Sequence, residues 1–376
     1  METRPTDSAS LEAAPAAGGN GIVSAASSLS AALPSPGAPL GLEDPSGRRL
    51  TYLRVSITDR CNYRCTYCMP EDGVDHTRKE DVLSFEEIAA LVQVFVALGL
   101  RRVRLTGGEP TVRKDLLTLV AMVAAIPGLE DLALSTNGHR LAELAEPLSR
   151  AGVRRLNVSL DSLDPDKFAR ITRRGVLAEV LAGLSAARNA GFAQIKLNAV
   201  AIKGFNDDEV ASLCSFAWEQ GFVPRFIEQM PMGEGALYVP GALMSAAEIR
   251  HALLAAHPGA ALIADEAHDV RGGGPARYLR LEAKDWAGPP RRVGIISPIT
   301  EHFCDTCNRV RLSSAGTLAT CLAHDGGADL REPLRRGGPD AVAAAIRQAV
   351  AVKPPSHLFQ AGGTGGPRKL MVHIGG

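Results

Sequence analysis

The sequence predicts an α/β protein, a parallel sheet of six βα units followed by a smaller second domain. Three observations carry this expectation. From Leu53 to about Met230, short β-branched runs alternate with stretches of helical periodicity, as in repeated βα units. After Pro240 the alternation lapses into Gly- and Pro-rich connections with short strands. Glycines and polar residues gather just past the strands, in Thr106-Gly107-Gly108-Glu109-Pro110, Ser135-Thr136-Asn137-Gly138, Ser159-Leu160-Asp161 and Glu228-Gln229-Met230-Pro231. In parallel α/β sheets that rim carries the chemistry.

In chain order the strands are expected at Leu53 to Ile57, Val103 to Thr106, Leu132 to Ser135, Leu156 to Leu160, Ile195 to Ile202 and Arg225 to Gln229. Ser84 with Glu87 has capping-box form, and Asn206 with Glu209 reads as an N-cap with an acidic first turn. Gly99, Gly152, Gly191 and Gly221 stand where helices should stop. Six units are too few for a closed eight-stranded barrel, which leaves a partial barrel or a doubly wound sheet. In the second domain a helix is expected near Ser245 to Ala256. Val310 to Ser313 and Thr317 to Cys321 read as a hairpin that returns Cys321 to Cys304 and Cys307. A last helix near Asp340 to Val352 leads to a glycine-rich tail ending Gly375-Gly376. The division is therefore residues 1–48 as a disordered Ala/Pro/Ser/Gly-rich extension, 49–240 as the sheet domain, and 241–376 as the second domain. Glu2, Asp7, Glu12, Glu43 and Asp44, with Arg4 the one basic residue before Arg48, argue against a transit peptide.

The 41 basic and 41 acidic residues cancel, so net charge gives no reason to expect nucleic-acid or membrane-surface binding, and an anionic ligand must be met locally. No apolar run approaches the roughly eighteen residues of a membrane span, and a cytoplasmic enzyme is expected. Six of the seven cysteines fall in two tight groups, while Cys214 stands alone in an apolar helical stretch and reads as core.

The first group, Cys61-Asn62-Tyr63-Arg64-Cys65-Thr66-Tyr67-Cys68, follows the first strand with the spacing C-x3-C-x2-C. Three thiolates on a 4Fe-4S cluster leave one iron open for an exogenous ligand, whereas structural zinc wants a fourth ligand, for which His76 is nearest. The spacing, the aromatic before the last cysteine and the downstream Gly-Gly-Glu-Pro resemble the radical S-adenosylmethionine superfamily. The resemblance implies a partial (β/α)6 TIM-like barrel in which Cys61, Cys65 and Cys68 hold the catalytic 4Fe-4S cluster, whose open iron chelates S-adenosylmethionine. It further implies that Tyr67, Gly108, Glu109, Ser159 and Met230 contact that cofactor. Taken singly, Glu109 could start a helix, Ser159 could bond its own backbone and Met230 could be core. Their joint place on strand ends favours function.

The second group is Cys304-Asp305-Thr306-Cys307, thirteen residues and Cys321. Alone it fits a zinc ribbon completed by His302 or His324. With the first group and the following Asn308-Arg309-Val310-Arg311, it resembles the C-terminal domain of the GTP 3′,8-cyclases, where a second 4Fe-4S cluster binds guanine. That resemblance, from Leu53 to Gly376, implies GTP contacts at Arg54, Arg104, Ser135, Lys196, Arg309, Val310 and Arg311, and a Gly-Gly tail reaching the active site. Arg104 and Lys196 interrupt apolar runs of a sheet expected to be covered by helices, so inward cations there call for an anion. Arg101, Arg102, Arg154 and Arg155, at strand starts, read as surface.

The function implied is cyclisation of GTP to (8S)-3′,8-cyclo-7,8-dihydroguanosine 5′-triphosphate, the first step of molybdenum cofactor biosynthesis. The implied partners are an electron donor such as flavodoxin or ferredoxin, a downstream cyclic pyranopterin synthase that receives the product, and a second copy in a homodimer. Two rivals stand beside it: a radical peptide maturase, which should carry more auxiliary cysteines, and a zinc-stabilised binding module, which leaves the open-site spacing unexplained.

Overall fold

The computed structural model describes residues 41–265, 274–283, 286 and 288–375. It opens with a short antiparallel pair, β1 (Leu42–Glu43) and β2 (Arg49–Leu50). This corrects part of the expected extension. Residues 41–48 are folded because Leu42 and Leu50 are buried and Asp44 pairs with Arg48 at 2.6 Å across the turn. Residues 1–40, the rest of that extension, lie outside the described residues.

Six parallel strands follow in spatial as well as chain order: β3 (Tyr52–Ser56), β4 (Arg102–Thr106), β5 (Asp131–Thr136), β6 (Arg155–Ser159), β7 (Gln194–Ala201) and β8 (Val223–Glu228). The helices α1 (Phe85–Ala97), α2 (Leu116–Ala124), α3 (Leu141–Ala151), α4 (Pro165–Thr172), α5 (Leu177–Asn189) and α6 (Val210–Glu219) lie between them in sequence. This is the partial (β/α)6 barrel. Strand alternation explains its section: Leu53, Val55, Val103 and Leu105 join the buried apolar cluster, while Arg54 and Arg104, between them, line an interior cavity.

The residues after β8 extend this sheet at both edges. Past α7 (Ala246–Ala255) come β9 (Ala261–Ala264), β10 (Arg277–Glu282) and β11 (Arg291–Ile296), and β11 runs parallel beside β8. On the other side β12 (Arg309–Leu312) runs parallel beside β3 and continues antiparallel through β13 (Thr317–Ala319) and β14 (Ala328–Asp329). Twelve strands form one open sheet. The hairpin expected at Val310 to Cys321 is β12–β13, with Arg311 opposite Ala319. The long helix α8 (Arg331–Ala351) bends at Gly338, φ 68°, ahead of Pro339, which cannot continue the hydrogen-bond ladder. A last turn, α9 (Met371–Ile374), closes the described chain.

Ser84 and Ser245 both make complete capping boxes, with Glu87 and Glu248. Asn206 does not cap a helix. Its side chain accepts from Ile202 N–H at 2.9 Å and donates to the carbonyls of Asp161 and Val200, binding the ends of β6 and β7 together. Glu228, fully buried at the end of β8, accepts from the backbone N–H groups of Ala246, Ile299 and Thr300 at 2.9–3.0 Å. It thereby fixes the start of α7 and the loop after β11 around Met230.

Candidate active site

The cysteine loop is held from beneath by α4: Arg64 N–H donates to Thr172 O at 3.0 Å and Thr66 N–H to Ile171 O at 2.9 Å. It is held from the side by Gly107 and Gly108 at the end of β4. A Cβ on Gly107 would stand 2.4 Å from Thr58 O, and one on Gly108 would stand 2.4 Å from Arg60 O. Only glycine lets the strand end approach close enough for Gly108 N–H to reach Thr58 O at 2.7 Å and Glu109 N–H to reach Arg60 O at 2.8 Å. The three thiols then line one cavity with Tyr67, Gly108, Glu109, Ser135, Ser159 and Met230.

The polar groups of that cavity are tied to one another. Glu109 Oε1 accepts from Thr111 N–H, Thr111 Oγ1 and Thr136 Oγ1 at 2.6–3.0 Å, while Oε2 takes Asn137 N–H at 2.6 Å. One oxygen is saturated and the other keeps acceptor capacity. The Tyr67 hydroxyl donates to Asp161 Oδ2 at 2.8 Å, and Asp161 Oδ1 accepts from Val200 N–H. Burial raises Asp161 to about 6 despite these bonds.

Burial raises Cys61 to about 11, with Glu109 adding to it, and Cys68 to about 12, with Cys61 and Asp161 adding to it. Cys65 moves the same way. Three half-buried thiols that oppose one another's ionisation suit a cationic group that displaces their protons. Among the described residues no three His, Cys, Asp or Glu side chains converge on a single-ion site, and no histidine lines this cavity. With Glu109, Asp161 and Glu228, the carboxylates of this cavity, already engaged by hydrogen bonds, three thiols and no histidine fit a 4Fe-4S cluster better than tetrahedral zinc.

A second cavity adjoins the first through the shared residues Asn198, Ile227, Met230 and Met371. Cys304, Cys307 and Cys321 line it together with Arg54, Arg104, Arg225, Arg309 and Arg311. Arg311, Arg54 and Arg104 are direct neighbours across β12, β3 and β4, a row of like charges that costs stability unless an anion lies against it. Burial, then the neighbouring arginines, lowers Arg54, and burial with Arg309 lowers Arg311 to about 10. Among the described residues none of the ion pairs involves Arg104, Arg225, Arg309 or Arg311. Burial pushes Cys307 up, but Arg309 and Lys353 outweigh it and bring the thiol to about 7.

Three expected contacts sit elsewhere. Val310 is fully buried on the helix-facing side of β12, since alternation turns in only Arg309 and Arg311. Ser135 lines the first cavity. Lys196 lies outside the lining of either cavity, with Nζ 5.1 Å from the Tyr278 ring centre. Burial, reinforced by Arg225, Arg104 and Arg155, brings it down to about 6. Arg155, expected at the surface, is half-buried and pairs with Asp131. His302 and His324 do not line the second cavity, whereas His357 does. Gly375 O accepts from Arg311 at 2.6 Å, and a Cβ on Gly375 would stand 2.2 Å from Thr106 Cγ2, so the tail reaches the rim of β4. Gly376 lies outside the described residues.

Arg225 and Asn198 escaped the sequence reading. Arg225 is 3% exposed and donates to Asn198 Oδ1 at 2.8 Å and Asn157 Oδ1 at 2.7 Å. Its signal was available, because a cation in the run Val-Pro-Arg-Phe-Ile breaks an apolar strand as Arg104 does. Asn198 carried no such signal.

Residues 55–217 match the family described as the Radical SAM superfamily, and residues 223–359 match Molybdenum Cofactor Synthesis C. A protein of Ectopseudomonas mendocina (strain ymp) named GTP 3′,8-cyclase is 46% identical over 321 residues, 85% of this chain and 93% of that one. One of the same name from Moorella thermoacetica is 44% identical over 340 residues, 89% of this chain and 100% of that one. This chain belongs to the GTP 3′,8-cyclase family. The crystal structure of Streptococcus suis SuiB shares the fold, with a TM-score of 0.52 at 12% identity over 81% of this chain and 69% of that one.

Proposed function

We propose that the chain is a radical S-adenosylmethionine enzyme that cyclises GTP to (8S)-3′,8-cyclo-7,8-dihydroguanosine 5′-triphosphate, the first step of molybdenum cofactor biosynthesis. The observation that supports the site assignment is the shared lining: each three-thiol set lines one of two cavities that have Asn198, Ile227, Met230 and Met371 in common. Cys61, Cys65 and Cys68 hold the catalytic 4Fe-4S cluster, and Cys304, Cys307 and Cys321 hold the auxiliary one. When bound, the first cluster and S-adenosylmethionine would supply, for one electron, the radical chemistry that removes the C3′ hydrogen of GTP; joining C3′ to C8 then requires one further electron from the reductant and a proton at N7 to give the 7,8-dihydro product.

The chain's own residues do the rest. Glu109 Oε2 and the Gly108 backbone receive the methionine end of S-adenosylmethionine, with Tyr67, Ser159 and Met230 around it. Arg54, Arg104, Arg225, Arg309 and Arg311 receive the triphosphate, where guanidinium forks bind phosphate oxygens in pairs. Burial of both cavities in the barrel keeps water from the reacting carbons and holds them at attack distance.

Residues 241–376 serve in this reading as the auxiliary-cluster domain, built onto both edges of the barrel sheet. A flavodoxin or ferredoxin supplies both electrons, a cyclic pyranopterin synthase consumes the product, and the enzyme works in the cytoplasm as a monomer or homodimer. No helix among the described residues is long and apolar enough to cross a membrane. A peptide maturase with further auxiliary cysteines finds no support, since Cys214 is fully buried in α6. The test of the nucleotide assignment is binding of GTP to the anaerobically reconstituted protein and to its Arg311→Ala variant. Retention of wild-type affinity by that variant would remove Arg311 from the site.

A further inference from the structure

We infer that Lys353 is a positioning residue for the auxiliary cluster, a buried cation outside the cysteine set that helps hold that cluster and favours its reduced state. The inference rests on the reading of Cys304, Cys307 and Cys321 as a cluster site.

Lys353 lies two residues beyond α8 and is only 4% exposed. Its Nζ donates to Thr320 O at 2.9 Å, beside Cys321, and approaches Cys307 Sγ at 3.9 Å. None of the ion pairs among the described residues involves it. A lysine is almost never buried without an anion, because the desolvation cost of an ammonium goes uncompensated. The anion that the geometry offers here is the thiolate set itself.

The segment that follows Lys353 is fastened to the cysteine loop. The Arg48 guanidinium donates to Cys304 O at 2.8 Å, Pro355 O at 2.6 Å and Pro354 O at 2.8 Å, while Asp44 holds its other side at 2.6 Å. The folded lead-in at 41–50, the cysteine loop and the segment after α8 thus meet at one point. Arg309 adds a second cation, 3.6 Å from the same sulfur. Reduction adds negative charge to an iron-sulfur cluster, so a fixed cation at a coordinating sulfur makes reduction easier.

The test uses full-length protein reconstituted anaerobically, as wild type, Lys353→Met and Lys353→Arg, with iron and sulfide counts and a redox titration of both clusters followed by electron paramagnetic resonance. Expected for Lys353→Met is a shift of the auxiliary midpoint to more negative potential, or loss of the auxiliary irons alone, with the S-adenosylmethionine-responsive cluster unchanged and Lys353→Arg close to wild type. Unchanged potentials and iron content in Lys353→Met would overturn the inference. So would equal damage to both clusters, or failure of Lys353→Arg to restore the wild-type signal, since these mark a role in folding only. A wild-type protein holding only about four irons would instead sink the auxiliary-cluster reading, and the inference with it.

Discussion

Arg311, Arg54 and Arg104 stand side by side on three adjacent strands and line a cavity, and an anion against such a row offsets its mutual repulsion. Replacing Arg311 or Arg104 with Ala should weaken GTP binding roughly 10- to 100-fold, the worth of one or two charge-assisted hydrogen bonds. Calorimetry on the reconstituted protein checks this. S-adenosylmethionine affinity should hold, because neither residue lines the first cavity. Lys196 makes a proton-linked prediction. At about 6 in the free protein it is mostly neutral near pH 7.5, and a triphosphate bound by the neighbouring Arg104 and Arg225 restores its charge. GTP binding at about pH 7.5 should therefore take up about one proton, seen as a dependence of binding enthalpy on buffer ionisation, and Lys196→Met should lose it. The same depression means that the unfolded chain binds more protons between about 6 and 10.5, so Lys196 makes the free protein's stability rise with pH through that window, a slope that Lys196→Met should flatten.

Elements were legible in the sequence where their signal is local. All six barrel strands lie within a residue or two of expectation, because β-branched runs between glycine stops need no partner to be recognised. What the sequence could not show is who sits beside whom. β11 and β12 complete a run of eight parallel strands by pairing with β8 and β3, contacts spanning more than 65 and 250 residues, and no periodicity encodes them. Asn206 misled for a related reason: its side chain was drawn to the strand ends instead of its own helix. The element that depends most on one residue type is the end of β4. Gly108→Ala would drive a Cβ into Arg60 O and push the strand from the cysteine loop. We expect loss of the first cluster's S-adenosylmethionine-induced spectral change, with the auxiliary cluster retained. At the other end, Gly375→Ala meets Thr106 and disturbs the carbonyl that Arg311 binds. GTP turnover should fall at least tenfold while iron content stays unchanged, since Gly375 itself lines neither cysteine cavity.

At the scale of the whole molecule, one continuous sheet joins the two halves of the chemistry. Both cysteine groups were visible from spacing, though the second alone fitted a zinc ribbon as well, and so was the rim of glycines and polar residues that lines the first cavity. The nucleotide cavity was only partly legible: the Arg309 and Arg311 pair follows a motif, but Arg225 and the bracing of the second loop by Arg48 and Lys353 emerge only once distant segments are brought together. In the proposed enzyme each of two adjoining cavities holds a cluster and GTP sits between them. Iron and sulfide analysis of anaerobically reconstituted protein, paired with 5′-deoxyadenosine formation from S-adenosylmethionine and reductant with and without GTP, tests this arrangement most directly. About eight irons per chain and 5′-deoxyadenosine formation that depends on GTP are the predicted result. About four irons, with cleavage indifferent to GTP, would contradict it.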